Sequence, residues 1–243
     1  MAITHLSGPL WAGDAYKQSV HTTGSIRGAP RSHIHVEEYG AVLVASSAMI
    51  LASTAFATAA NVNLLGTSTA AFSTSGIVAT SGVTVDVPRC ITVSSTGAMA
   101  TGTFTFTGTD KWGDALTETF AGPTNSTVTT QKAFKTITSM TYSATTATGI
   151  NFRVGLSDDL GLPYYAANAG KVLGVAVSGK STSATGVVFT APLTATGTST
   201  ATTADVHGIL SVEAIDGTSY ITVTVKVDPT SKATLFGADQ YSA

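Results

Sequence analysis

Short segments in which apolar and polar residues alternate dominate the chain from Val83 onward, and they constrain its fold more than any other feature. Val, Ile, Thr and aromatic residues fill these segments, and such residues favour β-strands. The segments lie at 83–87, 91–93, 103–107, 115–120, 127–129, 175–177 and 221–227. Because short strands between glycine-containing turns are typical of sandwiches and barrels, we predict an all-β fold. Its body is expected to be an antiparallel β-sandwich or jelly-roll-like structure with an extended N-terminal arm.

The sequence indicates two β-hairpins. The segment 108–114, rich in Gly and Asp, separates the strand-like segments TFTFT and ALTETF and is predicted to form the turn between them. Asp216-Gly217 is predicted to join 209–215 to 218–227, since Asp-Gly is a strong signal for a two-residue hairpin turn. Residues 130–134 are the best short candidate for a helix, although no part of the chain carries a capped amphipathic pattern.

The first 38 residues differ from the rest of the chain. They contain four of the five histidines, several turn-forming residues and no sustained period of 2 or 3.6. We interpret residues 1–38 as an extended arm that lies on a partner. Because Trp, Tyr and Arg dominate the energetics of many interfaces, the expected contact residues are Trp11, Tyr16, Arg27 and Arg31.

The rest of the chain is predicted to form one or two β units. Residues 39–163 are expected to form the main β domain, and residues 164–243 a C-terminal β region. The boundary is placed near Pro163, after the segment SDDLGLPYY. The alternative is that the segment around Pro163 is a crossover inside one sandwich, in which case the C-terminal region belongs to the same fold.

The low charge of the chain argues against several classes of function. Only 11% of the residues are charged, against about 25% in a typical soluble domain. The formal net charge is −2, so no basic surface for nucleic acid is expected. Few side chains are available as general acids or bases, and we predict that the protein is not an enzyme. The single Cys90 excludes a disulfide within the chain and is expected to be a small buried residue in a strand.

The segment 41–60 is uncharged and apolar over the length of a membrane-spanning helix. Small and hydroxylated residues dilute it, however, and the uncharged run continues to Val85. We therefore expect strands buried in a sheet or at a subunit contact, and no membrane partner. The first 18 residues show no basic region followed by an apolar run, so synthesis in a cytoplasm without an export signal is expected.

Two patterns suggest ligand binding but have simpler explanations. In an extended chain, His33, His35 and Glu37 would point to one side and form a nominal metal site, yet solvated or hydrogen-bonded histidines are the favoured interpretation. Residues 174–181 match the P-loop pattern, but neither a preceding strand nor a following helix is predicted around them. His207 stands apart from any nucleophile motif. We predict no metal ion and no cofactor.

Carboxylates cluster around two predicted turns. Asp110, Asp114 and Glu118 surround the first, and Asp158 and Asp159 lie in the second. Their spacing does not match a calcium-binding EF-hand loop. Because aspartates in turns commonly accept hydrogen bonds from nearby main-chain N–H groups, these carboxylates are expected to have structural roles.

Four segments between Pro88 and Pro163 carry a resemblance to a known family. They read PRCITVSS, GTFTFTGTDKWGDALTETFAGP, KAFKTITSMTYS and INFRVGLSDDLGLPY. They resemble the auxiliary head proteins of tailed bacteriophages, in which a similar strand, hairpin, strand and Leu-Gly-Leu-Pro segment follow one another. The stretch 204–228 and the ending ATLFGADQYSA fit the same style.

The resemblance implies a virion structural protein on the capsid exterior. Such a protein decorates, or cements, the shell by binding the major capsid protein, and a homotrimer is the expected assembly. One alternative is a neck, tail or fibre-base protein of the virion. A second is a carbohydrate-binding or adhesin β-sandwich, for which Trp112 and Tyr164-Tyr165 would be the stacking platforms. A nucleotide-dependent enzyme would require Lys180 to act in ATP turnover.

Overall fold

In the computed structural model, the described residues are 34–55, 61–64, 68–73, 76–79, 83–143, 149–178, 180–181, 187–192, 206–213 and 215–227. They form sixteen strands and a single turn of 3-10 helix at Ala169–Lys171. Every strand pair is antiparallel. The predicted all-β class and antiparallel sandwich are confirmed.

The strands are numbered in chain order. They are β1 (Ile34–Ala41), β2 (Ser46–Ala55), β3 (Asn61–Leu64), β4 (Ser68–Ser73), β5 (Gly76–Ala79), β6 (Val83–Ser95), β7 (Thr103–Thr109), β8 (Ala115–Ala121), β9 (Thr127–Thr129), β10 (Phe134–Tyr142), β11 (Asn151–Gly161), β12 (Val172–Val177), β13 (Lys180–Ser181), β14 (Val187–Thr190), β15 (Ile209–Val212) and β16 (Tyr220–Lys226).

The strands form two sheets. The smaller has the order β1-β16-β12-β13. The larger contains twelve strands and follows the path β14-β15-β11-β6-β10-β5-β4-β3, with β2 paired to β11, β9 to β6, and β7 to both β8 and β10. Strand β6 lies at the centre of the larger sheet because β9, β10 and β11 all pair with it.

Two apolar clusters fill the body. The first is built from side chains of β2, β6, β7, β8, β10 and β11, and its aromatic members Phe104, Phe106 and Phe120 stack with ring centroids 5.8–6.4 Å apart. The second lies between the inner face of the small sheet and the end of the larger one, where Val223 and Val225 meet β11 and β15 residues. Full burial of such side chains stabilises the fold by about 1.5–3 kcal/mol each.

The second cluster crosses the proposed boundary near Pro163. Its members come from the first half of the chain, such as Tyr39, and from the second, such as Leu210. Strand β15 also extends the larger sheet by pairing with β11. The described strands after Pro163 therefore share a sheet and an apolar cluster with the earlier part of the chain.

Of three local predictions, the structure confirms one and shows two to be wrong. The hairpin across residues 108–114 is confirmed, since β7 and β8 pair over their whole length. The hairpin across Asp216-Gly217 is wrong, because β15 pairs with β11 and β14 while β16 pairs with β1 and β12. The short helix at 130–134 is also wrong, since β10 begins at Phe134 and the preceding residues form bends.

The boundary of the predicted arm differs as well. Residues 34–38, placed at the end of the arm, form the first part of β1 and pair with β16. Residues 1–33 lie outside the described part of the chain. The prediction of an extended arm therefore concerns residues 1–33, and strand β1 marks the start of the described body.

Half of the uncharged segment 41–60 forms strand β2. Ile50 and Leu51 are buried where β2 pairs with β11, as expected for a strand in a sheet. Leu43 and Val44, in the loop before β2, are instead exposed. Among the described residues, the structure contains no helix long and apolar enough to cross a membrane.

Hydroxyl pairs take the place of charges on the strand surfaces. The side chains of Thr105 and Thr119 lie 2.9 Å apart across β7 and β8, and those of Thr109 and Thr136 lie 2.6 Å apart across β7 and β10. Such cross-strand Thr pairs each contribute a fraction of a kcal/mol, up to about 1 kcal/mol. They connect neighbouring strands without the like-charge repulsion that Lys or Glu rows would bring.

Candidate interaction site

The residues predicted to contact a partner all precede the described body. Trp11, Tyr16, Arg27 and Arg31 lie outside the described residues, so their contacts stay a prediction. The first described residue, Ile34, begins β1 directly after the predicted arm. The side chains that hold β1 on the sandwich therefore determine how firmly the point of attachment of the arm is fixed.

A charged cluster holds the start of β1. Nε2 of His35 lies 3.2 Å from Oε2 of Glu37, and Nζ of Lys111 forms an ion pair with Oε1 of the same carboxylate. Burial alone would raise the pKa of Glu37, but hydrogen bonds from His35 and Lys111 and the Lys111 charge together lower it below its ordinary value. The carboxylate is thus held ionised between β1 and the turn after β7.

This arrangement bears on the nominal metal site. His35 and Glu37 share one side of β1, as the alternation requires, whereas His33 lies outside the described residues. The Glu37 carboxylate is paired with the Lys111 ammonium. Within the part of the chain that the structure describes, no group of three His, Cys, Asp or Glu side chains is placed to hold a metal ion.

Aromatic side chains connect the same turn to the segment after β11. Nε1 of Trp112 donates to the carbonyl oxygen of Pro163 at 2.7 Å, and the Trp112 ring lies 5.5 Å from that of Tyr164. The ring of His35 meets Tyr164 edge-on at 4.9 Å. Tyr164 is buried and Trp112 is half-buried. The predicted stacking platform is therefore wrong for Tyr164, whose ring packs in the core.

Asp110 shapes the turn that presents Lys111 and Trp112. Its Oδ1 accepts hydrogen bonds from the main-chain N–H groups of Trp112 and Asp114 at 2.8 and 2.9 Å. This is the aspartate turn expected from the sequence. Gly113, with φ of +92°, occupies the left-handed region that a non-glycine residue adopts only with strain.

Glu118 also has a structural role. Its carboxylate is buried and accepts hydrogen bonds from the main-chain N–H groups of Gln131 and Lys132 at 2.8 Å. Nζ of Lys132 in turn donates to the carbonyl oxygen of Thr117 at 2.6 Å. The two charged side chains join β8 to the bend before β10, at the position where the sequence suggested a helix.

A second well-held surface, the loop of Leu43 and Val44, was not predicted from the sequence. A buried arginine, Arg89, holds this loop in place. Nη1 of Arg89 donates to the carbonyl oxygen of Leu43 at 2.6 Å, while the N–H of Leu43 donates to Oδ2 of Asp86 at 2.8 Å. Arg89 is completely buried, and this burial lowers its pKa below the ordinary value, although the nearby carboxylates of Asp86 and Asp158 act in the opposite direction. The exposed side chains of Leu43 and Val44 are thereby presented on a well-held loop. The sequence feature that could have revealed this surface is an arginine within an otherwise apolar strand segment.

The P-loop match forms a β-hairpin. Residues 174–181 comprise the end of β12, a turn at Ser178 with φ of +52°, and β13, with Val177 opposite Lys180. A P-loop requires the loop to lead from a strand into a helix. The hairpin therefore agrees with the interpretation of this match as a chance occurrence. His207, also considered above, is buried.

Comparison of the chain with protein-family models, with curated proteins and with solved structures found no match.

Proposed function

We propose that the protein is a virion structural protein that decorates a phage capsid and stabilises the shell by binding the major capsid protein. The observation that carries the proposal is that the chain is firmly held at the point where the predicted arm meets the body. Strand β1 begins directly after residue 33, and the ion pair of Glu37 with Lys111 and the edge-on contact of His35 with Tyr164 hold it on the body. A segment that binds a shell transmits load only if its attachment point is rigid.

The chemistry of the body supports the same proposal. The carboxylates of Asp110 and Glu118 accept main-chain hydrogen bonds, and Arg89 connects three chain segments. These charged groups hold the fold together instead of facing a substrate. The hydroxyl pairs between strands leave a surface with few charges to desolvate on contact with neighbours, and many weak contacts on one shell act together.

The segments that carry the resemblance to phage head proteins also support the proposal. They contribute β6, the hairpin of β7 and β8, β10 and β11. The Leu-Gly-Leu-Pro segment ends at Pro163, whose carbonyl oxygen accepts the hydrogen bond from Trp112. The motif residues thus lie in the strands of the body and in the contacts that fix the turn beside β1.

The test is a binding assay on phage shells that lack this protein. A variant that begins at Ile34 removes residues 1–33 but leaves β1 and its contacts in place. We expect the full chain to saturate the shells and the shortened chain to fold normally but lose attachment. A quadruple alanine variant at Trp11, Tyr16, Arg27 and Arg31 is expected to show the same loss. Full occupancy by either variant would contradict the role of the arm.

Electron microscopy of decorated particles separates this proposal from a neck, tail or fibre-base location. Density from the protein spread over the shell supports decoration, whereas density confined to one vertex or to the tail contradicts it. For the carbohydrate-binding alternative, no described contact gives support, since the Tyr164 ring is buried and Trp112 donates to Pro163. Binding of the full chain to a glycan array would reverse that conclusion.

A further inference from the structure

The outer face of the small sheet is open and almost uncharged. The side chains of Ile34 and Val36 on β1 are each 52% exposed, and Tyr220 on β16 is 65% exposed. A Cβ atom added at Gly174 on β12 would meet no atom within 4 Å, so nothing described covers the middle of this face. Ile34 and Val36 are neighbours on this face, and exposed apolar surface of this kind marks interaction sites.

The cross-strand register places the residues of this face in rows. Val36, Thr224 and Gly174 lie opposite one another in the central row. Glu38 lies in the next row on one side, and Lys226 lies in the next row on the other side, opposite Ile34. Glu38 and Lys226 are both exposed, and they are the charged residues that β1, β16 and β12 place on this face.

We propose that this face binds the same face of a second copy of the chain, related by a two-fold axis that runs along the central row. Such an axis exchanges the row of Glu38 with the row of Lys226. Each Glu38 then lies one strand, about 4.8 Å, to the side of Lys226 of the second copy. Packed sheets lie about 10 Å apart, and the Glu38 and Lys226 side chains approach each other from opposite sides of this gap. The face is therefore complementary to itself in charge.

The remaining residues of this face also suit contact with a second copy of the chain. Val36, Thr224 and Gly174 on the axis would meet their own counterparts, and small or β-branched residues with no charge allow two sheets to approach closely. In an isologous contact each ion pair occurs twice. The pairs chiefly specify the relative orientation of the two copies, because exposed ion pairs add little affinity.

This contact goes beyond the proposed capsid binding and does not depend on it. It uses the outer face of β1, whereas the predicted arm precedes β1, so loss of shell attachment and loss of self-association can be measured separately. It also differs from the three-fold assembly that the resemblance implies, because a ring of three requires two different surfaces to meet.

The test is sedimentation equilibrium of the full chain at low and high salt. We expect a reversible monomer–dimer equilibrium with a dissociation constant in the micromolar range, which weakens as salt screens the two ion pairs. Glu38→Lys alone and Lys226→Glu alone are each expected to weaken the dimer by at least about fivefold, since each places like charges opposite one another. An equimolar mixture of the two variants restores opposite charges at both positions and is expected to dimerise.

Two further variants make the result unambiguous. Gly174→Arg places a bulky cation on the axis, where the fold has open space, and is expected to abolish the dimer without loss of stability. Glu213→Lys changes the net charge by the same amount as Glu38→Lys but lies outside this face. It is expected to dimerise like the unaltered chain. A chain that stays monomeric, a trimer without even-numbered species, dimerisation of Gly174→Arg, or a mixture no stronger than its components would each overturn the proposal.

Discussion

Nε of Arg89 donates to the carbonyl oxygen of Ser157 at 2.8 Å, and Nη2 donates to the same oxygen. This contact lies where the β6–β11 pairing is interrupted: Leu156 is opposite Ile91, but the next aligned pair is Leu160 opposite Arg89. The extra residues of β11 leave main-chain groups without ladder partners. The guanidinium takes the place of the missing main-chain donor, which is why a charged side chain is found at the centre of the body.

Replacement of Arg89 is therefore expected to be severely destabilising. Arg89→Met preserves much of the side-chain volume but leaves the buried carbonyl oxygen of Ser157 and the carbonyl oxygen of Leu43 without this donor, and it removes the cation paired with Asp86. We expect a loss of roughly 3–5 kcal/mol in the free energy of unfolding, measured by urea denaturation. Arg153→Met, an exposed arginine on β11, serves as the control and should change stability by less than about 0.5 kcal/mol. Similar losses in both variants would contradict the structural role of Arg89.

The sequence could predict strands but not their partners. The turn at Asp216 forms as its composition suggests, since Oδ1 accepts hydrogen bonds from the N–H groups of Thr218 and Ser219 at 2.9 and 2.6 Å. The flanking strands nevertheless enter different sheets. A local hydrogen-bonding pattern specifies the turn, whereas strand pairing depends on distant segments with which each strand buries its apolar face.

The same limit applies to the candidate site. Alternation along β1 predicts correctly that His35 and Glu37 share a side, because that depends only on strand geometry. The partner Lys111 lies 74 residues away and is brought there by the hairpin of β7 and β8. Glu118 could be read only as a turn carboxylate, since its hydrogen-bond donors at Gln131 and Lys132 follow a later strand.

Glu118 should contribute strongly to stability because its buried carboxylate accepts main-chain hydrogen bonds. Glu118→Gln replaces one carboxylate oxygen, which accepts from main-chain N–H groups, with an amide that is itself a donor. The variant is expected to lose about 1–3 kcal/mol in the free energy of unfolding, because a buried N–H is left without its acceptor. Glu213→Gln, at an exposed carboxylate, is the matched control. Thermal unfolding followed by circular dichroism distinguishes them, and equal melting temperatures would contradict the prediction.

Two strand glycines should respond in opposite ways to the same substitution. A Cβ atom at Gly155 on β11 would collide with the main-chain carbonyl oxygen of Ser46, whereas one at Gly174 would meet nothing within 4 Å. Gly155→Ala is therefore expected to force β2 away from β11 and to lower stability by several kcal/mol or prevent folding. Gly174→Ala should be neutral or slightly stabilising, since alanine restricts the unfolded chain. Proteolysis within β2 reports the first effect directly, and a protected, stable Gly155→Ala protein would contradict it.

The ion pair between Glu37 and Lys111 should make stability depend on pH in the acid range. The folded-state pKa of Glu37 is lowered relative to its ordinary value. The resulting stabilisation is fully present above the unfolded-state pKa, about 4.3 for glutamate, and is lost as the pH falls through the lower folded-state value. The coupling energy of the two side chains, measured with Glu37→Gln, Lys111→Met and the double variant, is expected to be about 1 kcal/mol at pH 7.

The same double-mutant cycle at low pH separates the ion pair from simple packing. Below the folded-state pKa of Glu37 the carboxyl is neutral, so the coupling to Lys111 should fall towards zero. Nζ of Lys111 also lies over the Trp112 ring, 5.3 Å from its centroid, and this cation–π contact does not depend on the charge of Glu37. Lys111→Met removes it whether or not Glu37 is replaced, so its contribution cancels in the cycle. A coupling energy that is unchanged between pH 7 and an acid pH at which NMR shows the Glu37 carboxyl to be protonated would show that packing, and not charge, fixes the start of β1.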